Sequence, residues 1–144
     1  MKKIFLAVVM ILALAVSGVA GAAPNNGSLL NDEEKIAVSV FNAFNGQGTY
    51  TENVNPYATA GLKKQLSGAK FKETQTKIKD AFGKMSNMKL FVLQKFDKAD
   101  RLIYIAQGTK SPAVELTFTF DTTSKVLVDA FALRPVEVKK TDNK

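Results

Sequence analysis

Residues 114–120 alternate without a break. Val114, Leu116, Phe118 and Phe120 are apolar, and Glu115, Thr117 and Thr119 between them are polar. Successive side chains of a strand point to opposite faces, so this run predicts a strand with one face in a core and the other toward solvent. Residues 89–96 and 102–107 are rich in β-formers and apolar on both faces, and 126–133 closes the set. The links are short and polar: Asp97-Lys98-Ala99-Asp100, Gly108-Thr109-Lys110-Ser111-Pro112 and Asp121-Thr122-Thr123-Ser124-Lys125. A parallel pair needs a crossover of about a dozen residues, so residues 88–134 predict an antiparallel meander of three to four strands.

The last link sets a register. If Asp121 closes the hairpin against Lys125, the loop is Thr122-Thr123-Ser124, with Ser124 near the left-handed region where glycine is the natural residue. Phe120 then faces Val126, Phe118 faces Val128 and Leu116 faces Ala130, and Asp129 falls on the polar side opposite Thr117. Leu127, Phe131 and Leu133 lie on the outer face, where an apolar sheet surface would suit a homodimer. A shift of one residue would instead bury Asp129 beside Leu116. The first register is the expectation.

Everything before the meander reads as an export segment followed by helices. Met1-Lys2-Lys3 is a short basic start, residues 4–16 are unbroken apolar, and residues 17–23 are small and contain Ala20-Gly21-Ala22. This pattern predicts a signal peptide over 1–22, cleaved after Ala22, since Pro24 disfavours cutting after Ala23. The apolar core is shorter than the roughly 20 residues a span needs, so no stable membrane insertion is expected after cleavage. The protein would be periplasmic or secreted. Removing Lys2 and Lys3 takes the formal charge from +7 to +5. About 120 residues remain, enough for one core. There is no cysteine, so packing rather than disulfides must hold an exported domain together.

Residues 23–31 read as a flexible lead. A helix follows, capped by Asn31 or Asp32, with Ile36, Ala37, Val40, Ala43 and Phe44 on one face and Gly46 or Gly48 at its end. Residues 48–56 form a connector. A short helix is expected over 56–66, and an amphipathic one over 69–82 with Phe71, Ile78 and Phe82 on its stripe. Gly83 suits its C-terminal cap and Lys84 the negative end of its dipole. Residues 136–144 read as a frayed charged tail. Helices followed by an antiparallel sheet give a single α+β domain over 32–135.

This order, with Phe82-Gly83-Lys84 at the helix-to-strand junction and Phe120-Asp121…Lys125-Val126 at the last turn, resembles an uncharacterised family of small exported bacterial domains. That family belongs to the nuclear-transport-factor-like, ketosteroid-isomerase-like (cystatin-like cone) superfamily. The resemblance covers about residues 32–135, and Ser124 stands where the family has glycine. It implies helices lying in the concavity of a curved sheet, with room for a pocket. It carries over no activity.

The chain has no histidine and no cysteine. Ser-His-Asp and Cys-His nucleophiles and His- or Cys-liganded zinc are therefore excluded. Neither the phosphate-binding P-loop nor the dinucleotide fingerprint is present. No cofactor, metal site or catalytic residue is assigned. What remains is carboxylate and tyrosine chemistry. Its inward candidates are Asp129, Glu115, Tyr57 and Tyr104, with Glu115 expected in solvent and no two titratable groups paired as acid–base work requires. Tyr57, Tyr104 and Asp129 are the candidate ligand-binding residues. Asp97 and Asp100 are expected in a turn.

Lys63, Lys64, Lys70, Lys72, Lys77, Lys79, Lys84 and Lys89 face only Glu73 and Asp80 within the same stretch. Lys70, Lys72, Lys77 and Lys79 could offer a surface to an anionic partner. The plainer possibility is a solvated helix with Glu73–Lys77 and Asp80–Lys84 as pairs one turn apart. No aromatic residues interleave with these lysines on the outer face, and the chain carries an export signal, so nucleic acid is not an expected partner. The overall expectation is a non-enzymatic binding domain for a small ligand or an anionic envelope component, with a homodimer as a further option. Its alternatives are a carboxylate/tyrosine enzyme and a structural, dimerising domain.

Overall fold

The stripe of Ile36, Ala37, Val40, Ala43 and Phe44 is the buried face of α1 (Asn26–Phe44) in the computed structural model, which describes residues 8–9 and 26–137. The helix begins ahead of the expected cap, so residues 26–31 of the expected lead are helical. The expected signal peptide lies outside the described residues apart from β1 (Val8–Val9), which pairs antiparallel with Leu133 and Ala132. Helix α1 stops where predicted. Gly46 takes φ 79°, and Gln47 N–H reaches back to the Asn42 carbonyl at 2.8 Å, satisfying carbonyls the helix end leaves open.

The connector is more ordered than its composition suggests. Tyr50–Val54 forms a π turn and Asn55–Tyr57 a 3₁₀ turn. The expected helix over 56–66 is only α2 (Ala60–Gln65), because Thr59, not Pro56, is its cap and its hydroxyl accepts Leu62 N–H. Helix α3 (Lys70–Phe82) buries Phe71, Thr74, Ile78 and Phe82 and ends at Gly83, φ 71°.

Four strands follow: β2 (Met85–Lys95), β3 (Ala99–Gly108), β4 (Val114–Asp121) and β5 (Leu127–Pro135). Each pairs antiparallel with the next, and the sheet runs β1-β5-β4-β3-β2. The architecture is α+β with the helices before an open antiparallel sheet, as the pattern predicts. The Phe82-Gly83-Lys84 motif is structural. The Phe82 carbonyl accepts Lys110 N–H and the Lys84 carbonyl accepts Thr109 N–H, both at 3.0 Å, and Lys84 N–H donates to the Thr109 hydroxyl. The motif thereby stitches the end of α3 to the β3–β4 loop.

The expected register of the last hairpin is wrong, and so is its one-residue alternative. Asp121 pairs with Leu127, so the loop is the five residues 122–126, and Ser124 does not enter the left-handed region. Phe120 faces Val128, Thr119 faces Ala130, Phe118 faces Phe131 and Leu116 faces Leu133. Asp129 is the extra residue of a bulge at this step. The bulge turns the Val128 carbonyl toward Thr59 N–H, 2.9 Å away, where Ala58 bridges to Val128. A bulge made for a contact with a distant segment leaves no signature in alternation alone. Phe131 and Leu133, expected on the outer face, are in the core. The proposed outer-face dimer surface loses both.

An unbroken chain of rings fills the space between helices and sheet. It runs from Tyr50 to Phe71 (5.4 Å between centroids), Phe44 (5.0 Å), Phe131 (4.9 Å), Phe118 (4.9 Å) and Tyr104 (5.7 Å). Of the expected tail, Val136 and Glu137 have no regular structure, and residues 138–144 lie outside the described residues.

Candidate functional site

Two places in the molecule concentrate charge, one inside and one outside. The inner one is Glu33 and Asp100. Glu33 lies one turn before Ala37 and two before Val40 on the buried stripe of α1, and it is 0 % exposed. Asp100 opens the inner face of β3, cross-strand from Lys95, and is 3 % exposed. Lys95 Nζ lies 2.7 Å from Asp100 Oδ2. Asp100 was expected in a turn, but that turn closes one residue earlier, through Phe96 N–H on the Ala99 carbonyl.

As a carboxylate, Glu33 has no donor on either oxygen. Protonation of Glu33 removes the unmet charge. Burial first, then the hydrogen bond and repulsion from Asp100, push Glu33 up to about 8 against a partial pull from Lys95. Below that pH Glu33 is a neutral acid, which lessens the cost of burying it. The buried Tyr104 hydroxyl has no partner, and burial together with the nearby Glu34 and Glu33 carboxyls raises its pKa. Two titratable groups are therefore paired in one place, contrary to the sequence expectation. The signal for Glu33 was its phase, because it falls on the stripe of Ala37, Val40 and Phe44.

The other candidates stand apart from this trio. Asp129, expected in solvent, is buried and accepts the Thr59 hydroxyl at 2.8 Å, tying the α2 cap to the β5 bulge. Tyr57 is half-buried and lines a hollow of about 310 Å³ with Asp32, Lys35, Ile36, Lys125 and Val126. Glu115 is on the outer face as predicted, bridged twice by Arg134 at 2.7 and 2.8 Å. Tyr57, Tyr104 and Asp129 thus have three different surroundings and do not form one pocket wall.

The outer concentration of charge is the lysine face. Lys70, Lys72, Lys77 and Lys79 are all exposed on α3. Lys72 and Lys79 share one flank of the helix and Lys70 and Lys77 the other, by helical geometry. Among the described residues the ion pairs are Lys95–Asp100 and Arg134–Glu115. The Glu73–Lys77 and Asp80–Lys84 pairs envisaged from sequence do not form. Lys110, not Lys84, serves the end of the helix, with Nζ 3.1 Å from the Asp80 carbonyl. Lys79 and Lys84 border a cleft of about 580 Å³ with Phe44, Asn45, Gly46, Gln75, Thr76 and Gly83.

The walls of this cleft are fixed by hydrogen bonds. The Asn45 side chain pairs with both the N–H and the carbonyl of Met85, at 2.9 and 2.8 Å, and the Gln75 amide donates to the Ala43 carbonyl at 2.8 Å. Those amides are committed to the backbone, which leaves the Lys79 and Lys84 ammoniums and the Thr76 hydroxyl as the groups the cleft offers a ligand. Among the described residues no cluster of three or more His, Cys, Asp or Glu could hold a metal. No protein family, curated protein or solved structure matches the chain.

Proposed function

We propose that this is a non-catalytic binding domain for an anionic component of the cell envelope, carried out of the cytoplasm by its first 22 residues. The observation behind the proposal is the lysine face of α3. Among the described residues its cations form no ion pair, and Lys79, with Lys84 just past the helix end, borders a cleft with hydrogen-bonded walls. Cations without internal partners attract an external anion most strongly. The filled interior supports a surface role over a ligand held in the cone. The order of helices and strands is compatible with the nuclear-transport-factor-like resemblance, which stands as part of this proposal.

Binding of polyphosphate, a soluble linear polyanion, tests it. The protein should bind at low salt, weaken as salt rises, and lose roughly an order of magnitude in affinity in a Lys79→Glu/Lys84→Glu variant, at about 1 kcal/mol or more per charge contact. A variant that binds as well as the parent overturns the proposal. Glu33, Asp100 and Tyr104 favour a second reading, carboxylate chemistry in the manner of a cone enzyme. A substrate would have to lift α1 to reach Glu33, so any turnover should vanish in Glu33→Gln.

A further inference from the structure

Three of the large apolar side chains that the molecule leaves exposed lie together. Phe91 is 73 % exposed and Leu93 37 %, both on β2, and Phe96 is 44 % exposed just past its end. Strand β2 is the outermost strand on its side of the sheet. Side chains from both faces of an edge strand can meet a plane laid against that edge. This edge is poorly made for another strand. Its pairing with β3 is broken twice, between Ser86 and Lys89, where Asn87 takes φ 55°, and between Leu90 and Val92, at Phe91. Bulges of this kind twist an edge away from strand addition.

The charge around these residues is positive in balance. Residues 84–101 carry Lys84, Lys89, Lys95, Lys98 and Arg101 against Asp97 and Asp100, and Asp100 is buried and held by Lys95. Lys89, Lys98 and Arg101 are exposed, and the Arg101 guanidinium lies 5.5 Å from the centre of the Phe96 ring. A second copy would bring the same positive edge against this one, which disfavours self-pairing. A partner that accepts aromatic rings and also presents negative charge is an anionic lipid surface.

We propose that the β2 edge and its turn into β3 seat the domain on an anionic bilayer. Phe91 and Phe96 enter the boundary between headgroups and acyl chains, and Lys89, Lys98 and Arg101 meet the headgroup phosphates. Among the described residues no helix is long and apolar enough to cross a membrane; the attachment proposed for this edge is peripheral and reversible. The inference deepens the anionic-envelope proposal but uses a different face of the molecule from the α3 cleft.

Co-sedimentation of the purified protein with vesicles tests it, using phosphatidylcholine alone and phosphatidylcholine mixed with phosphatidylglycerol. Binding is expected only to the mixed vesicles and should fall with salt. Lys89→Glu/Lys98→Glu and Phe91→Ser/Phe96→Ser should each reduce it by roughly tenfold or more, from about fivefold per cation lost and a similar loss per ring. All four side chains are exposed, and an unchanged thermal transition confirms the fold. The inference is overturned if anionic vesicles do not bind, or if binding survives Phe91→Ser/Phe96→Ser and is lost instead in Lys79→Glu/Lys84→Glu. It is also overturned if the phenylalanine variant merely converts a dimer to a monomer in sedimentation. Polyphosphate binding without vesicle binding sinks the edge alone, and vesicle binding through Phe91 without polyphosphate binding sinks the α3 cleft alone.

Discussion

The carboxyls beneath α1 and the lysines along α3 are charged regions that the fold handles oppositely. Glu33 and Asp100 are removed from water; Lys95 holds Asp100, and burial pushes Glu33 toward its neutral form. Lys70, Lys72, Lys77 and Lys79 stand in water and form no ion pair among the described residues. Inner charge of this kind is bound up with stability, because removing a partner leaves an uncompensated group in the core. Outer charge costs the fold almost nothing and remains available for binding. A substitution in one region should therefore act on stability, and in the other on association.

The largest expected effect on stability belongs to the interior. Phe118 is fully buried between Phe131 and Tyr104, so Phe118→Ala should cost about 3–5 kcal/mol in chemical denaturation. Polyphosphate binding by the fraction still folded should not change.

The Glu33 proton gives the next effect. Its carboxyl titrates near 8 in the folded protein against an ordinary 4.5. The folded state therefore holds a proton that the unfolded chain has released between those values. The contribution of Glu33 to stability is complete below about pH 4.5 and is lost as pH rises through about 8, at a slope approaching 1.4 kcal/mol per pH unit. Denaturation midpoints measured across this range should fall for the parent and lose that component in Glu33→Gln. A parent with no such slope would contradict the raised Glu33 pKa.

Thr59→Ala comes third. It removes the α2 cap and a donor to Asp129 Oδ1, whose other oxygen is buried without a partner among the described residues. A loss of about 1–3 kcal/mol is expected by denaturation. The smallest effect is at the surface. Glu115→Gln removes the charge and one of the two acceptors that Arg134 meets on the outer sheet face and should shift stability by less than about 1 kcal/mol. A larger shift would blur the division between inner and outer charge.

The sequence was most legible where one physical rule acted alone. Period-two alternation placed 114–120 with every inward residue correct, and the stripes of α1 and α3 named their buried faces. Gly46 and Gly83 marked helix ends through their positive φ. It was least legible where distant segments settle the geometry. The β5 bulge exists because Val128 and Asp129 answer Ala58 and Thr59, which are far away in sequence. Ser124 looked like a poor left-handed residue because the loop had been drawn too short. Glu33 was hidden by its chemistry. Beside Asp32 and Glu34 it reads as a residue favoured by the helix dipole, although its phase puts it with Ala37 and Val40. Asp100 reads as a turn residue because it follows Asp97 so closely.

The account rests on the separation between committed and available charge, and one titration tests it most directly. Polyphosphate would be titrated at low salt into the parent, Glu33→Gln and Lys79→Glu/Lys84→Glu. The account predicts that the first two bind alike and that the lysine variant loses roughly tenfold or more in affinity. Equal binding by all three proteins, or a loss in Glu33→Gln as large as in the lysine variant, would contradict it.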